Sequence, residues 1–361
     1  MIAAEPAVAE RLARSFTTGA GAGVVRAVAD AIRATVEAGD PVVTTGCGTS
    51  EHAAIALAWV ARDSLGAEAG GRVCARQALD VAVRPPGKGM VIAVSHEGGT
   101  WATNEALRAA RAAGGRTALI TVSARSPGAS LADHVIETDE QDRSWCHTVG
   151  YLSPLVAAGA LAGRLRGIPI DHQSVRGLLA AAGTPQDMAS LADGIAGRLA
   201  LSARLLVAGA GIDFVAAREL ALKIEEGSGL PANALHLETL RHGHLASADD
   251  QTGLVLVLTG AEEADVPYRD RARGLLRAVQ ALGMPAAGIL GARVGRQIPE
   301  PLTPAGRLQA PEANRLPPMV ESILASAIPL QLLAERLARA RGRNPDLIGR
   351  DDPRQAAAAD A

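Results

Sequence analysis

The stretch MVIAVSHEGGTWATNEALR, residues 90–108, decides how the chain is read. An apolar run, Met90 to Val94, stops at Ser95 and gives way to a polar, glycine-rich loop that leads straight into a helical pattern. Such a run, bounded by turn residues, reads as a buried parallel strand. The loop brings hydroxyls (Ser95, Thr100), His96, two glycines (Gly98, Gly99) and the free N–H groups of a helix start. Together these make an anion cradle.

The same alternation runs along the chain. Strands are expected at 41–45, 72–76, 90–95, 116–121 and 134–137, with helices near 50–61, 101–113 and 147–165. The pattern restarts with strands at 204–208, 254–259 and 286–290, helices near 214–228 and 268–282, and a long helix within 317–341. Strands alternating with helices imply a parallel sheet covered on both faces. The restart is an internal repeat: Gly46 answers Gly209 and Gly48 answers Gly211, both at an offset of 163 residues (209 − 46, 211 − 48). Two copies of one α/β unit follow, one over 1–183 and one over 184–361.

The copies differ in chemistry. The first carries Thr49 and Ser50 after its glycines, where the second has Ile212 and Asp213. The first follows its third strand with SHEGGT, the second with TGAEEAD, so Asp213, Glu262, Glu263 and Asp265 would repel an anion there. The anion site is therefore expected in copy one, at the carboxyl ends of its strands. Residues 46–51, GCGTSE, lack the third glycine of a dinucleotide fingerprint, and no Walker lysine follows a glycine loop, so no nucleotide cofactor is expected. His236, Glu238, His242 and His244 fit no tidy zinc spacing, and no metal is expected either.

Bulk properties narrow the classes. A formal net charge of −2 with mixed signs and only 2% aromatic residues argue against a nucleic-acid surface. Three cysteines, Cys47, Cys74 and Cys146, have no paired spacing, which fits a reducing compartment and a cytoplasmic location. No apolar run is long enough for a membrane span, and the first residues do not read as a signal peptide.

Three segments, GCGTSEHAA (46–54), SHEGGTWATNEALRAARAAG (95–114) and ALKIEEGSGLPANALHLETLRHGHLA (221–246), resemble the double sugar-isomerase (SIS) domain family. The likeness is greatest to the isomerase half of glucosamine-6-phosphate synthase, and it extends to EPAV near the start. The resemblance implies two tandem doubly wound, flavodoxin-like αβα domains without a glutaminase domain. It implies a sugar-phosphate site at Gly48, Thr49, Ser50, Ser95, His96, Gly98, Gly99 and Thr100, with Thr148 in a second sugar-contacting loop. It also implies that Glu226 is the acid–base group, that His242 opens the sugar ring, and that the active site is composite across a homodimer. Lys223 lies three residues before Glu226 on one helix face and is expected to orient it or steady an enediolate. Adjacent acids such as Glu225 and Glu226 more usually form a solvated helix face. Trp101 and Trp145 are expected to pack, with a wall of the sugar site as the alternative for either.

The sequence departs from the family pattern in three places. Glu97 replaces the second serine of the phosphate loop, with His96 expected to compensate as an imidazolium. His244 replaces a proline, and the tail GRNPDLIGRDDPRQAAAADA has no lysine. The expected activity is thus isomerisation, or deamination, of an aminohexose phosphate rather than the whole synthase reaction. The alternatives are a phosphosugar sensor without turnover and a sugar-binding subunit.

Overall fold

The computed structural model describes residues 1–182, 185–260, 265–313 and 315–359. The expected domain division, at 183 and 184, and two of the copy-two acids, Glu262 and Glu263, fall outside these residues. Copy one contains strands β1 (Val42–Thr45), β2 (Val73–Ala75), β3 (Met90–Val94), β4 (Arg116–Thr121) and β5 (His134–Glu137). Copy two contains β6 (Arg204–Gly209), β7 (Ala232–His236), β8 (Thr252–Leu258), β9 (Ala286–Gly291) and β10 (Gly306–Ala310). The orders are β2-β1-β3-β4-β5 and β10-β9-β8-β6-β7, which is one topology twice, and every pairing is parallel. The doubly wound tandem expected from the sequence is the fold.

The apolar strands are buried on both faces, and alternate residues serve different layers. Met90, Ile92 and Val94 enter the large central core, while Val91 and Ala93 pack under the Trp101–Ala112 helix with Leu107. In copy two, Val255 and Val257 join that same central core, while Leu254 and Leu256 face an outer layer. The two copies therefore share one apolar core. The Val149–Arg166 helix, almost wholly buried, packs against the Thr49–Gly70 helix inside it.

β7 and β10 were not among the expected strands. Both are edge strands with mixed burial, so no continuous apolar run marks them. The long helix expected within 317–341 is two segments, Pro318–Ala325 and Ala327–Ala340, meeting at Ser326.

Glu5, at the start of the Glu5–Thr17 helix, is fully buried. Burial pushes its carboxyl up to about 8, against a hydrogen bond with Gln331. At neutral pH the group thus holds its proton. A folded-state value above the unfolded one gives stability that is complete at low pH and lost as pH rises toward 8. The melting temperature is expected to fall as pH rises from 4.5 to about 8 and to level off above that, and Glu5→Gln to remove most of that fall. An equal fall in both proteins would contradict the protonated assignment.

Candidate active site

The first loop turns tightly out of β1. A Cβ on Gly46 would lie 2.6 Å from the backbone carbonyl carbon of Ser50, so only glycine lets the chain double back here. Gly48 is exposed, Thr49 opens the Thr49–Gly70 helix, and Ser50 donates its N–H to the Cys47 carbonyl. The neighbouring strand β3 delivers the second loop beside it. Ser95 is buried and its hydroxyl lies 3.5 Å from that of Thr100, which precedes the Trp101–Ala112 helix. Gly98 has φ +66° and a Cβ there would sit 2.3 Å from Ser126 Oγ. Its carbonyl accepts from Asn104 Nδ2 at 3.1 Å and from the Gly128 N–H at 2.8 Å, which pins the turn. Gly99 and Thr100 remain exposed. The loop thus keeps an open stretch at a helix start, where N–H groups lack partners of their own.

His96 differs from the expectation. Its Nε2 accepts the Asp142 N–H at 3.1 Å, and burial lowers its pKa, so it is a neutral imidazole and brings no positive charge. Glu97 is exposed and accepts from Gln141 Nε2 at 3.3 Å. Asp142, absent from the sequence-based set, organises the 142–150 turn. Its carboxylate accepts from the N–H groups of Ser144, Thr148 and Gly150 at 3.1, 2.6 and 2.9 Å. Thr148, at the start of the Val149–Arg166 helix, also directs its hydroxyl to Asp142 at 3.4 Å. Trp145 is half exposed beneath Arg350, whose guanidinium carbon is 4.0 Å from the ring centroid, and Trp101 is mostly exposed. Neither packs in the core as expected.

Copy two shows why its corresponding cradle is closed. Asp213, the counterpart of Ser50, is buried and turns its carboxylate into the loop after β8. It accepts from the N–H of Thr259 at 2.8 Å, from the Thr259 hydroxyl, and from the Gly260 N–H at 3.3 Å. An internal carboxylate therefore occupies the donors that an external anion would use.

The Asp213–Ser228 helix of copy two packs against the Thr49–Gly70 helix of copy one. It presents Glu219, Lys223 and Glu226 at i, i+4 and i+7, which lie on one face. Glu219 is fully buried and reaches across the copies. His52 Nδ1 lies 2.6 Å from its carboxylate, and the Thr49 hydroxyl donates to it at 3.1 Å. Lys223, 2% exposed, lies 3.6 Å from Glu219 and donates to Glu226 at 2.6 Å. Burial alone would push Glu219 up, but Lys223, His52 and Thr49 together hold it below the usual carboxylate value. Burial pulls Lys223 down, and Glu219 and Glu226 outweigh it, so the ammonium stays charged. Glu226 is only partly buried, yet burial and the Glu219 charge raise its pKa against the pull of Lys223. A carboxylate raised toward neutrality and backed by a fixed cation suits proton transfer.

The spacing of Lys223 and Glu226 was legible in sequence. Glu219 and His52 were not singled out, although the same helical period extends one turn back to Glu219. Glu225 points outward and accepts the Ala232 N–H at 3.1 Å. His242 stands apart from this group. Its side chain is 74% exposed on the segment after β7 and lies 3.3 Å from Glu238. His236 stacks on Phe214, and among the described residues no three His, Cys, Asp or Glu side chains are placed to hold a metal. No helix is long and apolar enough to cross a membrane among those residues.

A repeated, parallel αβα unit, with hydroxyl-rich loops in one copy, defines a tandem doubly wound α/β architecture. No family model matches the chain. It is 26% identical over 317 residues to the glutamine–fructose-6-phosphate aminotransferase (isomerizing) of Gloeobacter violaceus, covering 83% of this chain and 49% of that protein. The chain thus spans about half the length of the curated relative it matches. The C-terminal domain of the Francisella tularensis glucosamine–fructose-6-phosphate aminotransferase superposes with TM-score 0.79 at 19% identity, over 96% of each chain. Tagatose-6-phosphate ketose/aldose isomerase of Escherichia coli gives 0.72 at 18% identity, over 96% of this chain and 94% of that one. Glucosamine-6-phosphate deaminase of Thermotoga maritima gives 0.64 at 19%, over 85% and 88%. The resemblance to the double SIS family, and to the isomerase part of the synthase, holds in sequence and in fold.

The difference between the cradles is testable with inorganic phosphate. Amide resonances of residues 46–50 and 95–100 are expected to shift on titration, and those of 259 and 260 to stay. Ser95→Ala should weaken binding about tenfold or more, the worth of one hydrogen bond to a charged group, whereas Thr259→Ala should not. Equal responses in both copies would contradict the assignment.

Proposed function

We propose that the chain binds a sugar phosphate and catalyses aldose–ketose isomerisation, or deamination, of an aminohexose phosphate. The observation that carries this reading is the Lys223–Glu226 pair, held by Glu219 against the helix that carries the copy-one loop. The phosphate binds the hydroxyls of Ser50, Ser95 and Thr100 and the open N–H groups at the start of the Trp101–Ala112 helix, beside Thr49, whose own hydroxyl is held by Glu219, with Gly48, Gly98 and Gly99 letting it approach the backbone. This places the carbons at the other end of the sugar toward Glu226. Glu226 removes a proton from one carbon and returns it to the next. Lys223 steadies the negative oxygen that forms between these steps.

Ring opening needs a second acid–base group. His242 touches none of these residues within its own chain, which supports its supply by a second copy in a homodimer with composite sites. The relatives' names support the substrate class: a fructose-6-phosphate aminotransferase, a tagatose-6-phosphate isomerase and a glucosamine-6-phosphate deaminase.

Solvent-deuterium incorporation into hexose and aminohexose 6-phosphates, followed by NMR, separates turnover from mere binding. Glu226→Gln is expected to lower exchange by roughly 10²–10⁴-fold with ligand binding kept, and Glu225→Gln to be near neutral. Mixing inactive Glu226→Gln chains with inactive His242→Ala chains should restore part of the activity. Full activity of Glu226→Gln would remove the isomerase reading. No recovery despite subunit exchange would place both groups in one chain.

A further inference from the structure

Copy two has a cavity of its own, of about 500 Å³, at the carboxyl ends of its strands. The loops after β6 and β8 line it through Gly211 and Thr259. Chain order reverses at β6, between β7 and β8, and open α/β sheets bind ligands at such a switch point. The volume lies within the range of small-molecule sites, about 300–1,000 Å³. Copy one supplies Trp59 and Asp63 to the wall from its Thr49–Gly70 helix, so the cavity lies between the two copies.

The charges on this wall are not balanced. Asp213, Asp265, Glu312 and Glu321 share it with one arginine, Arg293, and that arginine is held by Glu312 at 3.7 Å. Asp63 is tied to Arg166. Asp213 has hydroxyl and N–H partners but no cation among the described residues. Burial pushes its carboxyl up to about 6, and the Asp265 charge adds to the rise. Burial also raises Glu321, with the Glu312 charge adding to it. Two raised carboxyls on one wall mark negative charge that the protein leaves uncompensated. The polar wall is not only acidic. Ser322 is 8% exposed and lines the cavity, yet its hydroxyl has no hydrogen-bond partner among the described residues. A polar group that deep is normally paired. The remaining wall is apolar and aromatic, with Trp59, Leu316, Met319 and Tyr268, whose ring would lie 3.1 Å from a Cβ at Gly211. Acids beside aromatic rings suit a cation on an apolar body.

We propose that this cavity is a second ligand site, opposite in charge preference to the copy-one cradle, which takes a primary ammonium carried on a small apolar group. Asp213, Glu321 and the Ser322 hydroxyl are three acceptors for the three donors of an ammonium. The apolar body lies against Tyr268, Leu316 and Met319. A metal ion is a poorer fit, because the acids are spread around the wall: among the described residues no three are placed to hold one. The site shares no residue with the phosphate loops, so it stands independently of the sugar-phosphate reading.

NMR titration of the full chain with 2-phenylethylammonium, 2-phenylethanol and 3-phenylpropanoate tests this with three bodies of similar shape and different charge. The ammonium compound is expected to shift the amides of Gly211, Thr259 and Gly260 and the methyl group of Met319. It should bind at least about tenfold more tightly than the alcohol, the worth of one charge-assisted hydrogen bond. The carboxylate compound is expected not to bind there. Glu321→Gln and Ser322→Ala should each remove most of the ammonium's advantage. Glu321→Gln keeps the shape of a partly buried side chain and Ser322 has no partner to lose, so the melting temperature of both variants should stay close to that of the parent chain. Equal binding of the ammonium and the alcohol would reveal an apolar hollow only and overturn the inference. Absence of binding, shifts confined to residues outside this wall, or an advantage that survives both substitutions would overturn it too.

Discussion

A single buried carboxylate, Glu219, joins the two halves of the molecule. It stands on a helix of copy two, yet two of its partners, His52 and Thr49, come from the first turns of a copy-one helix. An ion this deep is expensive to desolvate, and it is tolerated only when its partners are close and well directed. Glu219 meets that condition with an imidazole at 2.6 Å, a hydroxyl at 3.1 Å and an ammonium at 3.6 Å. The arrangement has a consequence for chemistry. It keeps Lys223 charged in a nearly dry place, and the Glu219 charge adds to the burial that raises Glu226. Thr49 is part of this link, so the phosphate loop and the reacting pair are held in one register.

The repeat explains how one fold carries one site rather than two. Each copy has a strand-to-helix loop after its first strand and another after its third, beside each other on parallel strands. In copy two the first loop ends in Asp213, which fills the second loop's donors with a carboxylate. In copy one the corresponding residue is Ser50, which brings no carboxylate to the second loop, and the Ser95 N–H goes to the Ile120 carbonyl instead. Copy two instead contributes the helix with Glu219, Lys223 and Glu226. On the reading proposed above, the duplication is divided into an anion-binding half and a proton-transfer half, over one shared core.

Much of this was legible in the chain. Apolar runs such as Met90–Val94 and Leu254–Leu258 mark central strands because parallel sheets bury both faces. The shared offset of the glycines revealed the duplication, and the exchange of Ser50 for Asp213 marked where the two copies differ in structure. Strands β7 and β10 escaped because edge strands need little apolar sequence. Glu219 escaped because a buried acid looks, in sequence, like any helix-surface acid. Only the partner helix from 170 residues away makes it an internal ion. The charge of His96 was hidden for a similar reason, since burial keeps it neutral and its Nε2 accepts the N–H of Asp142, 46 residues distant. The copy-two cavity draws its walls from several distant segments and had no local signature.

Glu219 is coupled electrostatically to Glu226 through Lys223, and NMR titration of the Glu226 carboxyl carbon measures that coupling directly. Glutamate labelled at the carboxyl carbon, with Glu226→Gln used for assignment, gives the resonance. In the unmodified chain Glu226 is predicted to titrate above the ordinary carboxylate range. In Glu219→Gln, which removes one negative charge and leaves Lys223 to Glu226 alone, the titration is predicted to move clearly downward. A Glu226 that titrates at the ordinary value in both proteins, or that does not move when Glu219 is neutralised, would contradict the account.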